Sequence, residues 1–441
     1  MYRKGILRLI FLGLMSIPLC LSANKEQTEK VTAPFNNNDG EYNLIIEGYD
    51  WGPAVSRVIL SISEQVSNAN AGDYAVTAKR HTEYIQIPPE KASGDRNVIY
   101  AYVSDENGNK LASGKNITLV LAVGPDLPIG SPIQYIRNDK YRGNYWIDYE
   151  LTITHKPSNR VWDKEAGRIR QLVDSFDLTG TFKDSNGITL SYASFAPDTS
   201  NKKSPLIIWL HGGGEGGTDP SIPLIANRAA NYASDEIQAY FGGAYVLAPQ
   251  CPGAWMHNSE GVTTHGREDD IYNKGLMELI KNYVSSNPKI DTDKIYVGGC
   301  SNGGYMALKL IILYPDYFAA GYISALAYQN QYITNEQVEK IKDVPIWFIH
   351  SKDDGTTVPE KTVVPLYKRL IGAGSKNVHF SFYDHVTDIT GFFGGANYYY
   401  NGHWSWIYSH ANHAKFDFDG SPVLLNNRPV TIMEWLAAQS N

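Results

Sequence analysis

Cysteine is scarce in this 441-residue chain. Cys20, Cys251 and Cys300 are too few for a disulfide scaffold and wrongly spaced for a zinc knuckle. Charge is sparse as well: 19% of residues are charged against 43% hydrophobic, which excludes a disordered, solvated chain. Positive charge is in deficit, with 39 Lys and Arg against 46 Asp and Glu for a net charge of −7, so nucleic acid is not an expected partner. No apolar run reaches the roughly 20 residues that a membrane-spanning helix needs, and no internal repeat is present. Aromatic residues, by contrast, are plentiful at 12%, with 30 Tyr, which suits β surfaces and ring-lined clefts. The length, about three typical domains, makes two domains the natural expectation.

The N-terminus carries Arg3 and Lys4, then an apolar stretch from Ile6 to Leu21 interrupted by Arg8 and Ser16, with Ala23 shortly after. A basic start, a short apolar core and a small residue describe a secretory signal peptide over residues 1–23. The core after Arg8 is only about 13 residues, short of the roughly 20 that span a bilayer, so a membrane anchor is disfavoured. Cys20 raises a lipoprotein alternative, but a lipidation box wants a small residue before the cysteine and Leu19 stands there. Cleavage removes Arg3, Lys4 and Arg8 and no acid, leaving the remainder three units more negative. The expected product is exported, secreted or periplasmic, and not held in a membrane.

Two stretches follow with different grammar. Residues 24–40 are polar and turn-rich and read as a linker. From residue 41 to 156, short β-runs such as Tyr42–Ile46, Arg57–Ile62, Val98–Val103 and Ile117–Val123 alternate with turns, which argues an all-β sandwich. From 157 to 441, apolar strands at Pro205–Leu210, Ala244–Ala248, Lys294–Gly298, Val344–Ile349 and Val378–Phe382 alternate with helical segments. That alternation predicts an α/β domain, a mostly parallel sheet covered on both faces, with chemistry in loops beyond the carboxyl ends of the strands.

The motifs fall in such loops. Gly299-Cys300-Ser301-Asn302-Gly303 is G-x-S-x-G between a strand and a helix, the setting in which a serine is held exposed on a strained turn. A hydroxyl nucleophile needs a base, and the base an orienting acid, in the chain order Ser, acid, His. After the strand ending at Ile349, Asp353 and Asp354 are both candidates for the acid. For the base, His403 lies about 20 residues past the last strand, while His385 follows that strand too closely to turn inward. His410 and His413 lack a third ligand for a metal and read as core or surface residues. His211-Gly212-Gly213-Gly214-Glu215 follows the strand ending at Leu210 and supplies backbone N–H groups for an oxyanion. No Lys-Ser/Thr follows those glycines, as a phosphate loop would require. Gly213, Gly214 and the N–H of Asn302 are the candidate donors, and Glu215 is expected to order the loop through hydrogen bonds.

On these residues the chain resembles the α/β-hydrolase esterases that carry an N-terminal immunoglobulin-like domain. They are akin to polyhydroxybutyrate depolymerases and feruloyl esterases and are grouped with prolyl-oligopeptidase-type hydrolases. The resemblance rests on Trp209 through Glu215, Ala248-Pro249-Gln250-Cys251-Pro252, Gly298 through Gly304, His350 through Pro359, and Gly402-His403-Trp404-Ser405-Trp406. It implies an α/β-hydrolase fold at 157–441 behind an immunoglobulin-like sandwich at 41–156, and a secreted serine carboxylesterase acting on short-chain or aryl esters, free or polysaccharide-linked, without a cofactor. It maps the acid of an H-x-x-x-D motif onto Asp354 and leaves Asp353 second, with Gly355-Thr356-Thr357 departing from the family pattern by lengthening the loop before Val358-Pro359, and it maps the base onto His403. The alternatives are a serine peptidase of the same group and a polysaccharide-binding protein with an inert hydrolase half. In this fold the strand before Gly212 separates those before Cys251 and Cys300, so two buried thiols are expected instead of a bridge. The β-domain is expected to cap the cleft. Trp51, Tyr398, Tyr399, Tyr400, Trp404 and Trp406 are candidates for a pocket lining or for packing. The oligomeric state is not legible.

Overall fold

The computed structural model describes residues 40–198 and 202–441; the expectations for the leader at 1–23, for Cys20 and for nearly all of the linker lie outside them. Eleven strands come first: β1 (Glu41–Tyr49), β2 (Gly52–Val66), β3 (Tyr74–His81), β4 (Ser93–Asp95), β5 (Val98–Ser104), β6 (Gly114–Leu121), β7 (Ile133–Arg137), β8 (Arg142–Trp146), β9 (Asp148–His155), β10 (Arg160–Trp162) and β11 (Lys164–Arg170). They form a five-stranded sheet in the order β11-β1-β2-β6-β5 and a four-stranded sheet in the order β10-β9-β3-β4, with β7 and β8 set apart as a hairpin. Along β3, and over most of β9, buried and exposed positions alternate, as in strands with one face on a core and one in water. Leu44, Ile46, Val58 and Leu60 of one sheet share a core with Val76, Ala78, Leu151 and Ile153 of the other. Two polar side chains tie into that core. The Trp162 indole donates to the Ser61 carbonyl at 2.8 Å, and the buried Arg96 guanidinium donates to Val55 and Ala122 carbonyls and the Tyr149 hydroxyl.

Strand β11 runs parallel to β1 from Glu41↔Lys164 to Ile46↔Arg170. Residues 157–170, assigned to the second domain from sequence, therefore complete the first. Lys164–Arg170 is too polar to announce a buried strand, and its pairing is with a segment more than 100 positions upstream.

The second domain is built on β12 (Asp177–Lys183), β13 (Thr189–Phe195), β14 (Ser204–Leu210), β15 (Tyr245–Gln250), β16 (Ile290–Cys300), β17 (Ala320–Ser324), β18 (Ile346–Ser351) and β19 (Val378–Tyr383). Their order in the sheet is β12-β13-β15-β14-β16-β17-β18-β19, antiparallel at β12 and β13 and parallel from β15 onward. Every residue of β14, β15, β17 and β18 is buried, as expected of strands covered on both faces. Helices Asn273–Ser286, Asn302–Leu313 and Val363–Gly372 provide part of that cover. This is the α/β-hydrolase fold that the sequence implies. Cys251 and Cys300 are both free and buried, and β14 separates their strands. Among the described residues no helix is long and apolar enough to cross a membrane.

Candidate active site

Ser301 sits between β16 and the helix Asn302–Leu313 with φ 53° and ψ −114°, a strained conformation for a residue with a Cβ. Two glycines make the turn possible. A Cβ on Gly303 would lie 2.0 Å from the Leu210 carbonyl oxygen, and one on Gly299 would lie 2.6 Å from the same atom. The Ser301 N–H donates to the Ser324 carbonyl on β17 at 3.0 Å, and its own carbonyl accepts from Tyr305 at 2.9 Å. The turn is thus pinned on both sides.

His403 meets Asp354. Its Nδ1–H donates to Asp354 Oδ2 at 2.9 Å, which leaves Nε2 as the basic nitrogen. Asp354 is fully buried and collects four further donors. The N–H groups of Thr356 and Thr357 reach Oδ1 at 2.8 and 2.9 Å, while the Thr357 hydroxyl and His350 Nε2 reach Oδ2 at 2.7 and 3.0 Å. Burial would raise the pKa of this carboxyl, but hydrogen bonds from His350 and His403 outweigh it and hold the group well below the usual carboxylate range. Asp353 points elsewhere, to His385 at 2.8 Å and to the Ser351 hydroxyl. Of the two adjacent acids, the structure joins Asp354 to His403.

The loop after β14 carries the third component. Buried His211 donates through Nδ1 to the Gly212 carbonyl at 2.6 Å and accepts from the Cys251 N–H through Nε2 at 3.2 Å. Both roles require the neutral ring, and burial lowers its pKa to about 4. Gly213 packs against Asn302, whose Cβ would lie 3.8 Å from one on the glycine. Asn302 heads its helix, so its N–H has no intrahelical partner; its side chain accepts from the Trp255 N–H at 2.6 Å. Ser301, His403, Gly213 and Gly214 all line one cavity of about 600 Å³. Asp354, bonded to His403, and Asn302 are not among the residues that line it.

Part of this site is absent from any sequence motif. The hairpin β7–β8 of the first domain leans on the oxyanion loop. The Asn144 N–H donates to the Gly214 carbonyl at 2.6 Å, its side chain donates to Glu215 Oε1 at 2.9 Å, and the Trp146 indole reaches the Ser221 hydroxyl at 2.9 Å. Glu215 therefore does order its loop, but through a residue of the other domain. Burial raises its pKa to about 7 against hydrogen bonds from Asn144 and Asn227. The turn at Asn138-Asp139-Lys140 between two Tyr- and Arg-bearing runs was the available signal for this hairpin. Trp51, Trp404 and Trp406 line the cavity. Tyr400 is buried, and exposed Tyr399 packs against His385 with the rings tilted by 33°. His410 is buried against Trp209 and Tyr232, and its pKa is lowered to about 3 by burial, a core histidine. Burial also pushes the Cys251 and Cys300 thiols up, which makes them poor nucleophiles.

Residues 41–167 match the esterase Ig-like N-terminal domain, and residues 195–390 match the phospholipase/carboxylesterase family. Feruloyl esterase B of Neurospora crassa is 31% identical over 137 residues, covering 31% of this chain and 44% of that protein. Poly(3-hydroxybutyrate) depolymerase of Ralstonia pickettii is 27% identical over 172 residues, covering 37% of this chain and 32% of that protein. The curated relatives are thus spanned over between 32% and 62% of their own lengths. A solved structure described as a thermostable esterase superposes with a TM-score of 0.71 at 23% identity, covering 91% of this chain and 99% of that one.

Proposed function

We propose that this chain, an α/β-hydrolase of the carboxylesterase type with an esterase Ig-like domain, is a secreted serine esterase acting on short-chain or aryl carboxylic esters. Ser301 attacks the ester carbonyl while His403 Nε2 takes the hydroxyl proton and returns it to the departing alcohol. Asp354 fixes the imidazole tautomer and stabilises the imidazolium. N–H groups of Gly213, Gly214 and Asn302 receive the developing oxyanion. Water, activated by the same histidine, then releases the acid from Ser301. The observation that carries this reading is the buried His403–Asp354 hydrogen bond at the wall of the cavity that Ser301 also lines. The likeness to a feruloyl esterase and to a poly(3-hydroxybutyrate) depolymerase fits an acyl-enzyme route, and the leader pattern supports the proposal of export.

Hydrolysis of p-nitrophenyl acetate by the purified protein, beside Ser301→Ala, tests it. Turnover by the wild type and a loss of several orders of magnitude in the variant are expected. Equal activity in the two proteins would remove Ser301 from the mechanism.

A further inference from the structure

The wall that the first domain contributes to the cavity carries positive charge that no ion pair among the described residues neutralises. In the β7–β8 hairpin, Tyr135 pairs with Asn144 and Arg137 with Arg142. The two-residue alternation puts all four on one face, and all four line the cavity with Ser301 and His403. Two arginines directly opposite each other in a two-stranded ribbon destabilise it. Both are exposed, as is Lys91 on the same cavity wall. Among the described residues none of these three charged ends makes an ion pair or a hydrogen bond, in a chain whose net charge is −7.

The other charged groups at the cavity are already engaged. Arg80 donates to the carbonyls of Ser131, Lys91 and Ile133 and to the Gln134 side chain. Asp50 is paired with Arg228 at 2.9 Å, and Glu215 is buried and bonded to Asn144. The cavity therefore has unspent positive charge on one side and the nucleophile on another. Tyr135, 46% exposed, offers a ring face between them and the oxyanion loop, lying 3.2 Å from where a Gly214 Cβ would be.

We infer that the hairpin face is an anion subsite, and that the substrate is an ester bearing a carboxylate, held by Arg137 and Arg142 with help from Lys91 while its ester bond reaches Ser301. Guanidinium forks suit a carboxylate geometrically. The inference rests on the esterase reading of the same site and adds the substrate class.

Two matched pairs of esters test it and place the charge. The p-nitrophenyl half-ester of adipic acid against p-nitrophenyl hexanoate puts the carboxylate on the acyl side; 4-acetoxybenzoate against its methyl ester puts it on the alcohol side. In one pair the anionic ester should be favoured about 10-fold in kcat/KM, through KM, at low ionic strength. That preference should collapse in 0.5 M salt and in Arg137→Gln/Arg142→Gln, and be reduced without being lost in Arg137→Lys/Arg142→Lys, which keeps the charge but not the fork. Neutral esters hydrolysed as well as anionic ones in both pairs, or a preference that survives the double glutamine variant, would overturn the subsite. Calorimetric binding of 4-acetoxybenzoate to Ser301→Ala, lost with Arg137→Gln/Arg142→Gln added, reads the subsite without turnover. Binding in a protein inert to every ester would leave the anion subsite standing but defeat the esterase reading, and with it the assignment of an ester substrate.

Discussion

Asp353 and Asp354 are neighbours in the chain, each hydrogen-bonded to a histidine, yet their surroundings differ. The Asp354 side chain is fully buried and its partner His403 is 14% exposed; the Asp353 side chain is 35% exposed and His385 45%. Asp354 gathers five donors, including two imidazoles and two backbone N–H groups. Asp353 has the Ser351 hydroxyl and one imidazole, and its oxygen lies where a Cβ on Gly402 would stand, 2.2 Å away. A histidine–carboxylate pair does not by itself make a relay. What separates these two is burial of a charge that enough donors keep ionised, beside a cavity holding a nucleophile.

Glu215 sharpens the point as a third carboxyl. It is as buried as Asp354 but receives amide donors without an imidazole, and its pKa rises to about 7 where that of Asp354 falls. Burial sets the cost, and the donors decide its sign.

The largest effect should separate the two aspartates. Asp354→Asn should lower kcat by roughly four orders of magnitude, as loss of a triad acid does, while Asp353→Asn should change it by no more than a few-fold. Equal losses in steady-state assays would erase the distinction. A smaller effect is expected from the domain that supplies Asn144. Asn144→Ala removes a side-chain donor to Glu215 beside the oxyanion loop, and kcat should fall about 10- to 100-fold with KM nearly constant. A change confined to KM would make Asn144 a substrate contact instead of a positioning residue.

The third effect is on stability and not on rate. A carboxyl whose pKa is higher in the folded than in the unfolded state binds more protons when folded, so stability falls as pH rises between about 4.5 and 7. For Glu215 the contribution is roughly 3 kcal/mol across that window. Melting temperatures from pH 4.5 to 7.5 should decline more steeply in the wild type than in Glu215→Gln; parallel curves would show that Glu215 ionises normally. Asp354 has the opposite sign, its stabilisation being lost only as pH falls below the ordinary carboxylate range.

These contrasts follow what the sequence makes legible. Ser301, Gly299 and Gly303 are written as a local motif because the turn spans five residues, although the clash that requires its glycines is with the Leu210 carbonyl on the neighbouring strand β14. Asp354 and His403 are readable from spacing after particular strands, though choosing Asp354 over Asp353 needed a family pattern. Asn144 and the arginine pair left no such trace. The Asn144–Glu215 bond joins residues 71 positions apart across two domains, and domain docking has no periodicity to read. Strand β17, Ala-Gly-Tyr-Ile-Ser, is too short and mixed to show a pattern, although Ser324 on it holds the nucleophile turn.

The claim that one histidine–aspartate pair activates Ser301 and its neighbour does not is tested most directly by fluorophosphonate labelling with mass-spectrometric mapping. One adduct on Ser301 is expected in the wild type and in His385→Ala, with a labelling rate reduced by orders of magnitude in His403→Ala. An adduct on another residue, or labelling of Ser301 that survives His403→Ala and is lost in His385→Ala, would contradict it.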